Sequence, residues 1–301
     1  MFQVFISYRG EIAGLSAALI WACASLVYIG VGRQIAPLAL NLTKGWMAIA
    51  LIALTGLATG QTLPTLDSAS LIVLLLSGAI GVGVGDTAYF NALNLIGARR
   101  TLLFETLAPA LAALLALFFL QEQLSLQAWF GIFLVLAGVV WVVLERLPEL
   151  SEAPHQTLRG ILFGLLAALA QAIGAVLSRS AFIGSDVDTL SSTLIRLIGA
   201  TLVLLIWGTL QQQTREIVKP LQSQRLFLII AGTAFISTYL GIWLQQTSLK
   251  YAPTGVAQAL TSTSPLFVIP LVRLMGDRVS MRAVVGVLIA LVGVSLLFSR
   301  A

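Results

Sequence analysis

Asp86 and Glu105 are carboxylic acids set in apolar sequence, GDTAYFNALNLIGARRTLLFETLAPALAALLALFF over residues 85–119, that is long enough to cross a bilayer twice. An acid at the centre of a membrane helix costs roughly 2.5–3.5 kcal/mol by insertion scales, so such residues mark proton relays, ion paths or paired charges. The chain turns around Gly97-Ala98, with Asp86 eleven residues before Gly97 and Glu105 eight after it. On two antiparallel helices rising about 1.5 Å per residue, both acids lie roughly 12–17 Å from the same membrane face. That is close to the middle of a hydrocarbon core of about 30 Å.

Lys44 lies about eight residues into the preceding apolar segment, which enters from that same face. Three ionisable side chains on three helices therefore share a depth. Two neighbouring carboxyls do not both ionise cheaply, and a lysine beside them neutralises one. The expected resting state is one carboxylate paired with Lys44 and one acid that takes up and releases a proton. That is the chemistry of a proton-coupled carrier. The other reading is a structural ion pair that pins helix 2 to helices 3 and 4.

Further polar groups fall at similar depth. Tyr89 and Asn91 follow Asp86 on helix 3, and Tyr89 shares its helix face by the spacing of three. Trp243 and Gln246 on helix 8, Arg196 on helix 7, and Thr261 and Ser264 in the hydroxyl-rich run TSTSP of helix 9 complete the candidate substrate-binding set. Trp21 and Trp243 could stack on a substrate or simply pack. Arg196 has no intramembrane acid in its own half, so it either meets an anionic group of the substrate or snorkels to helix-end carbonyls. Pro109 and Pro265 are helix breaks: a proline has no N–H, so the carbonyls of Glu105 and Thr261, four residues earlier, lose their helical donors. A packing kink is the alternative for both.

Composition sets the frame that must position these groups. Charged residues are 10% and AVILMFWYC residues 58%, with mean hydropathy +0.99, whereas a soluble domain carries roughly 25% charged residues. The chain is a polytopic membrane protein. Its net charge of +5 comes from Lys and Arg scattered singly between apolar runs; this is the pattern of helix ends at lipid headgroups, not of a nucleic-acid surface. The single His155 has no Cys or His near it, so no metal is expected. No Ser-His-Asp, Cys-His or metal-peptidase constellation is present, and the expectation is a protein without cofactor that is not an enzyme. The stretch GAIGVGVGD imitates a phosphate loop but lies inside a membrane span, where close helix packing explains it better. MFQVFISYRGE lacks the layout of a cleavable signal peptide, so the first membrane helix is expected to serve as the targeting signal.

Apolar runs predict ten spans, at about 11–31, 36–58, 69–95, 98–119, 126–144, 160–179, 189–209, 225–247, 253–275 and 281–299. The chain also repeats itself. LQEQLSLQAWFGIFLVLAG (120–138) matches MGDRVSMRAVVGVLIALVG (275–293) at an offset of 155, placing Glu122 on Asp277, Gly131 on Gly286 and Gly138 on Gly293. Lys44 corresponds to Arg196, and Gly10 and Gly14 to Gly160 and Gly164. The expected fold is thus an all-α membrane protein of ten transmembrane helices in two inverted five-helix repeats: residues 1–146, a connecting loop 147–159, and residues 160–301. An odd number of helices per half forces the second half to enter the membrane the other way up, as in alternating-access carriers. The path is expected between the halves, lined by helices 1–4 and 6–9, with helices 5 and 10 peripheral.

With Trp21, Lys44, Arg196, LAPALAALLALFFLQEQLS at 107–125 and SLKYAPTGVAQALTSTSPLFVIPL at 248–271, the chain resembles the EamA family of the drug/metabolite transporter superfamily over nearly its whole length. The resemblance implies ten helices, two pseudo-symmetric bundles and a central path for small metabolites or drugs. Lys44 stands where that family usually has Arg, and the Asp86/Glu105 pair has no counterpart in the second half. The expected function is secondary active transport of a small metabolite or drug-like solute, as a proton-linked exporter in the cell (inner) membrane. The partners are the small-molecule substrate, membrane lipid and protons, with no nucleic acid. A facilitative exchanger of an anionic metabolite and a non-transporting membrane protein are the alternatives. Loop arginines and lysines put the termini outside the cytoplasm by the positive-inside rule; the resemblance implies both termini inside.

Overall fold

The computed structural model describes residues 6–31, 35–60, 66–144, 154–212, 223–274 and 280–298. Most of the connection 147–159 lies outside these residues, as do Asp277 and the arginines at 33, 146, 215 and 278. The described residues hold helices and no strands. Within a bilayer each backbone N–H and C=O must be satisfied inside its own segment, and apolar runs of this length solve that problem as helices.

The helices are α1 (Arg9–Val31), α2 (Pro37–Thr59), α3 (Ser68–Gly97), α4 (Arg100–Phe119), α5 (Leu126–Leu144), α6 (Pro154–Gly184), α7 (Thr189–Leu210), α8 (Gln224–Tyr251), α9 (Thr254–Thr261 and Ser264–Leu274) and α10 (Met281–Phe298). Eight of them, all but α1 and α9, are long and apolar enough by themselves to cross a membrane. Ends follow local chemistry. Pro37 opens α2, where its missing N–H is of no consequence, and Gly60 closes it at φ 66°. Asp67 caps α3 by accepting from the Ser70 N–H, and Asp188 caps α7 by accepting from Leu190 and Ser191. The Ser70 hydroxyl and amide hold the Asp67 carboxyl, which lies outside the membrane segment, below the usual carboxylate range.

Gly97 has φ 78° and ψ 163°, so the helical path breaks there and α3 and α4 run antiparallel. A side chain at this φ would be strained, which is why the turn takes glycine. Four elements depart from the simple apolar-run reading. α6 extends to Pro154–Gly184. α9 is two helices, interrupted at Ser262-Thr263 just before Pro265. α3 and α8 each contain a π-helical stretch, Ala79–Asp86 and Ala234–Leu240, and the two begin 155 residues apart.

The repeat is visible in the packing. α5 and α10 lie against each other along a glycine seam. A Cβ on Gly138 would stand 2.5 Å from the carbonyl oxygen of Gly286, and one on Gly293 would stand 2.8 Å from that of Gly131. Because Gly131 pairs with Gly286 and Gly138 with Gly293 in the repeat, the two contacts exchange under the pseudo-two-fold. The outer faces of both helices present Phe130, Phe133, Trp141, Leu288 and Leu291, all exposed. In the same way α1 packs on α8 and α6 packs on α3. Between the halves, α2 and α3 pack on α7, and α3 and α4 pack on α6.

Candidate functional site

Asp86 of α3 is the group to which Lys44 of α2, Glu105 of α4 and, from the other half, Arg196 of α7 are each electrostatically coupled. Tyr89, one turn beyond Asp86 on α3, is within reach of both carboxyls. Lys44 is buried, and its Nζ sits 5.1 Å from the centre of the Phe90 ring. Such a cation over a ring face gains from the ring quadrupole.

Arg196 is 1% exposed, and its Nε and Nη1 have no hydrogen-bond acceptor among the described residues. Glycines make its place. The Arg196 backbone touches α3 at Gly78 so closely that a Cβ there would overlap the Arg196 carbonyl, and its Nη2 lies 3.1 Å from where a Gly81 Cβ would be. Open guanidinium donors have the planar fork geometry that matches a carboxylate or phosphate.

The remaining expected residues make contacts of their own. Gln246 is fully buried; its Oε1 accepts from the Ser192 hydroxyl of α7 at 3.0 Å, and its Nε2 has no partner among the described residues. Trp243 donates to the Thr189 hydroxyl at 2.9 Å, and its ring lies tilted against that of Tyr239. Asn91 donates to the Thr87 carbonyl one turn back on its own helix, at 2.7 Å. Thr261 donates to the Gln258 carbonyl, while Ser264 begins the second piece of α9. The helix breaks at Thr106, directly after Glu105 and three residues before the buried Pro109; the break before Pro265 occupies the corresponding region of α9.

Sequence reading missed Asn41. Its Nδ2 donates to the Val82 carbonyl at 3.0 Å and to the Thr87 hydroxyl at 3.3 Å. It also missed Gln258, buried in α9 with an unpartnered Nε2. The signal was present in both cases: an amide inside an apolar run must find a partner or a ligand. At the end of the molecule where α1 begins, Arg179 of α6 and Glu122 of the α4–α5 connection form an ion pair that spans the halves. No group of three or more His, Cys, Asp or Glu among the described residues could hold a metal.

The model of the EamA-like transporter family matches residues 8–144 and again residues 158–299. The chain belongs to the EamA-like transporter family. It is accordingly an integral, multi-pass membrane protein of a transporter family rather than of an enzyme family. A stretch of 138 residues is 32% identical to "Uncharacterized protein PA1977" of Pseudomonas aeruginosa; it covers 46% of this chain and 47% of that relative, about half the length of each. A protein of known crystal structure superposes with a TM-score of 0.76 at 17% identity, covering 95% of both chains, a likeness of fold.

Proposed function

We propose that this EamA-family protein is a ten-span secondary transporter of the cell membrane that exports a small metabolite in exchange for protons. The observation that carries the reading is the electrostatic coupling of Asp86 to Lys44, Arg196 and Glu105. Four ionisable groups from four helices and both halves converge where repeat-built carriers place their sites. Asp86 faces two cations, whereas Glu105 faces another acid, so the two carboxyls have different tasks. Asp86 balances the cations; Glu105 binds a proton from one side of the membrane and releases it to the other. Substrate enters against the polar wall of Gln246, Thr261 and Tyr89. Moving the halves about the α5–α10 seam exposes this centre to each side in turn.

One observation favours a second reading. The two open donors of Arg196 suit an anionic group of the substrate, and an exchanger of anionic metabolites would use Lys44 and Arg196 without moving a proton. Purified protein in proteoliposomes, screened for flux against a panel of small metabolites, tests transport itself. An imposed pH gradient then separates the readings: accelerated flux, with matching proton movement reported by an internal pH dye, supports the proton-linked carrier. Flux indifferent to the gradient leaves the exchanger.

A further inference from the structure

The π-helical stretches of α3 and α8 leave carbonyls turned away from the regular ladder, and each is met by a side chain from another helix at the same repeat position. Asn41 of α2 donates to the Val82 carbonyl, and Trp21 of α1 donates through Nε1 to the Ser237 carbonyl at 2.8 Å. Val82 and Ser237 are 155 residues apart. A π turn holds one residue more than an α turn and recurs at functional sites; in a bilayer its displaced carbonyl needs a donor. The stretch in α3 ends on Asp86. In α8 the position corresponding to Asp86 is Gly241, and the Trp21 indole fills the space its side chain would take, 2.4 Å from the Cβ site. The corresponding carbonyls of the two stretches are thus each held by a side chain, from α2 in one case and α1 in the other, and only the stretch in α3 has an acid at its end.

We infer that Asn41 is a positioning residue for Asp86: by holding the π turn through the Val82 carbonyl it sets the direction in which the Asp86 carboxyl points. One residue is about 100° of an α-helix. If the π turn resolved or slid along α3, Asp86 would swing by that much and leave the cations. Asn41 and Lys44 are three apart on α2 and share a face, so one helix both holds the turn and supplies a charge. The groups facing Asp86 are Lys44 from α2, Arg196 from α7, Glu105 from α4 and Tyr89 on its own helix. α6, packed on the π stretch, brings Ala170 and Gly174 to Gly81 and Gly85. The inference rests on the proposed role of the acids in proton exchange.

The test is modification of the full-length protein in lipid nanodiscs by dicyclohexylcarbodiimide, which adds to a protonated carboxyl, read by peptide mass spectrometry as a function of pH. Wild type should be modified at Asp86 in a pH-dependent way. Asn41→Ala should move the pH of half-modification at Asp86 by about one unit, and raise amide hydrogen exchange over 79–88 while sparing 234–241. Trp21→Phe should do the reverse in exchange, leaving the Asp86 profile in place. If Asn41→Ala does not assemble, Asn41→Ser carries the same measurements. An unmoved Asp86 profile beside a pH-dependent wild type overturns the positioning role alone. A wild-type Asp86 that shows no pH-dependent modification overturns this inference; the proton-linked reading falls only if Glu105 shows none either.

Discussion

Arg179 and Glu122 are joined at 2.6 Å between Nε and Oε1, and each also binds backbone of the α8–α9 turn. Arg179 Nη1 donates to the carbonyls of Leu249 and Lys250, and the Glu122 Oε2 accepts from the Thr254 N–H. Lys250 donates onward to the Val187 carbonyl, and the Arg9 guanidinium lies over the Tyr251 ring. The interaction links the first half to α6, α8 and α9 at the end where α1 begins. On the proposed transport cycle this link is the closure that opens once per turnover.

Glu122→Gln therefore loosens that end. The loss of the charge-assisted bonds should cost about 2 kcal/mol of closure, roughly thirty-fold in the open-to-closed ratio. In a background with Cys23→Ser, a cysteine at Gln258 should react faster with an aqueous maleimide added from that side when Glu122→Gln is present. Equal rates would mean that the ion pair does not hold the closure.

The acids make a separable prediction. Asp86→Asn or Glu105→Gln should abolish transport driven by a pH gradient, while substrate exchange at equal pH on both sides survives, since exchange need not release the proton. Full gradient-driven transport in both variants would reduce the acids to structural roles and favour the anion exchanger.

Much of this centre was legible in the sequence because depth in a membrane is countable. A turn at Gly97 and a rise per residue put Lys44, Asp86 and Glu105 at one level, and the turn is where the backbone breaks. Counting says nothing of rotation, nor of which helix of the other half lies alongside. So Arg196, which looked partnerless within its own repeat, comes within electrostatic reach of Asp86 across the repeat boundary. The π stretches were not legible at all. They depend on donors such as Asn41 and Trp21 arriving from other helices, and α-helical periodicity has no mark for them. The hydrogen bonds of Asn91 and Trp243 were hidden for the same reason: a polar side chain in an apolar run announces a need, not its partner.

Lys44→Ala should harm stability more than either acid substitution does. It leaves acid charge at depth with one cation fewer, and breaking a buried pair costs about 3–5 kcal/mol. Adding Asp86→Asn to Lys44→Ala should restore much of the thermal stability in detergent without restoring gradient-driven flux. A double variant as unstable as Lys44→Ala would show that the lysine's partner is some other group.

The glycine seam between α5 and α10 bears on folding rather than substrate choice. A Cβ at Gly138 would meet the Gly286 carbonyl at 2.5 Å and the Ala290 amide nitrogen at 2.7 Å, both backbone atoms that cannot rotate aside. Helix association in lipid depends on such close approach, because apolar side chains gain nothing by leaving lipid for one another. Gly138→Leu should thus separate the helices, lowering yield and melting temperature. The candidate site residues lie on α2, α3, α4, α7, α8 and α9 and none lies on α5 or α10, so whatever protein does assemble should keep the wild-type order of preference among metabolites. The pseudo-two-fold sharpens the expectation: Gly293→Leu, the repeat counterpart, should reproduce the defect. Normal yield with a changed substrate profile in either variant would place the seam on the transport path instead of at its pivot.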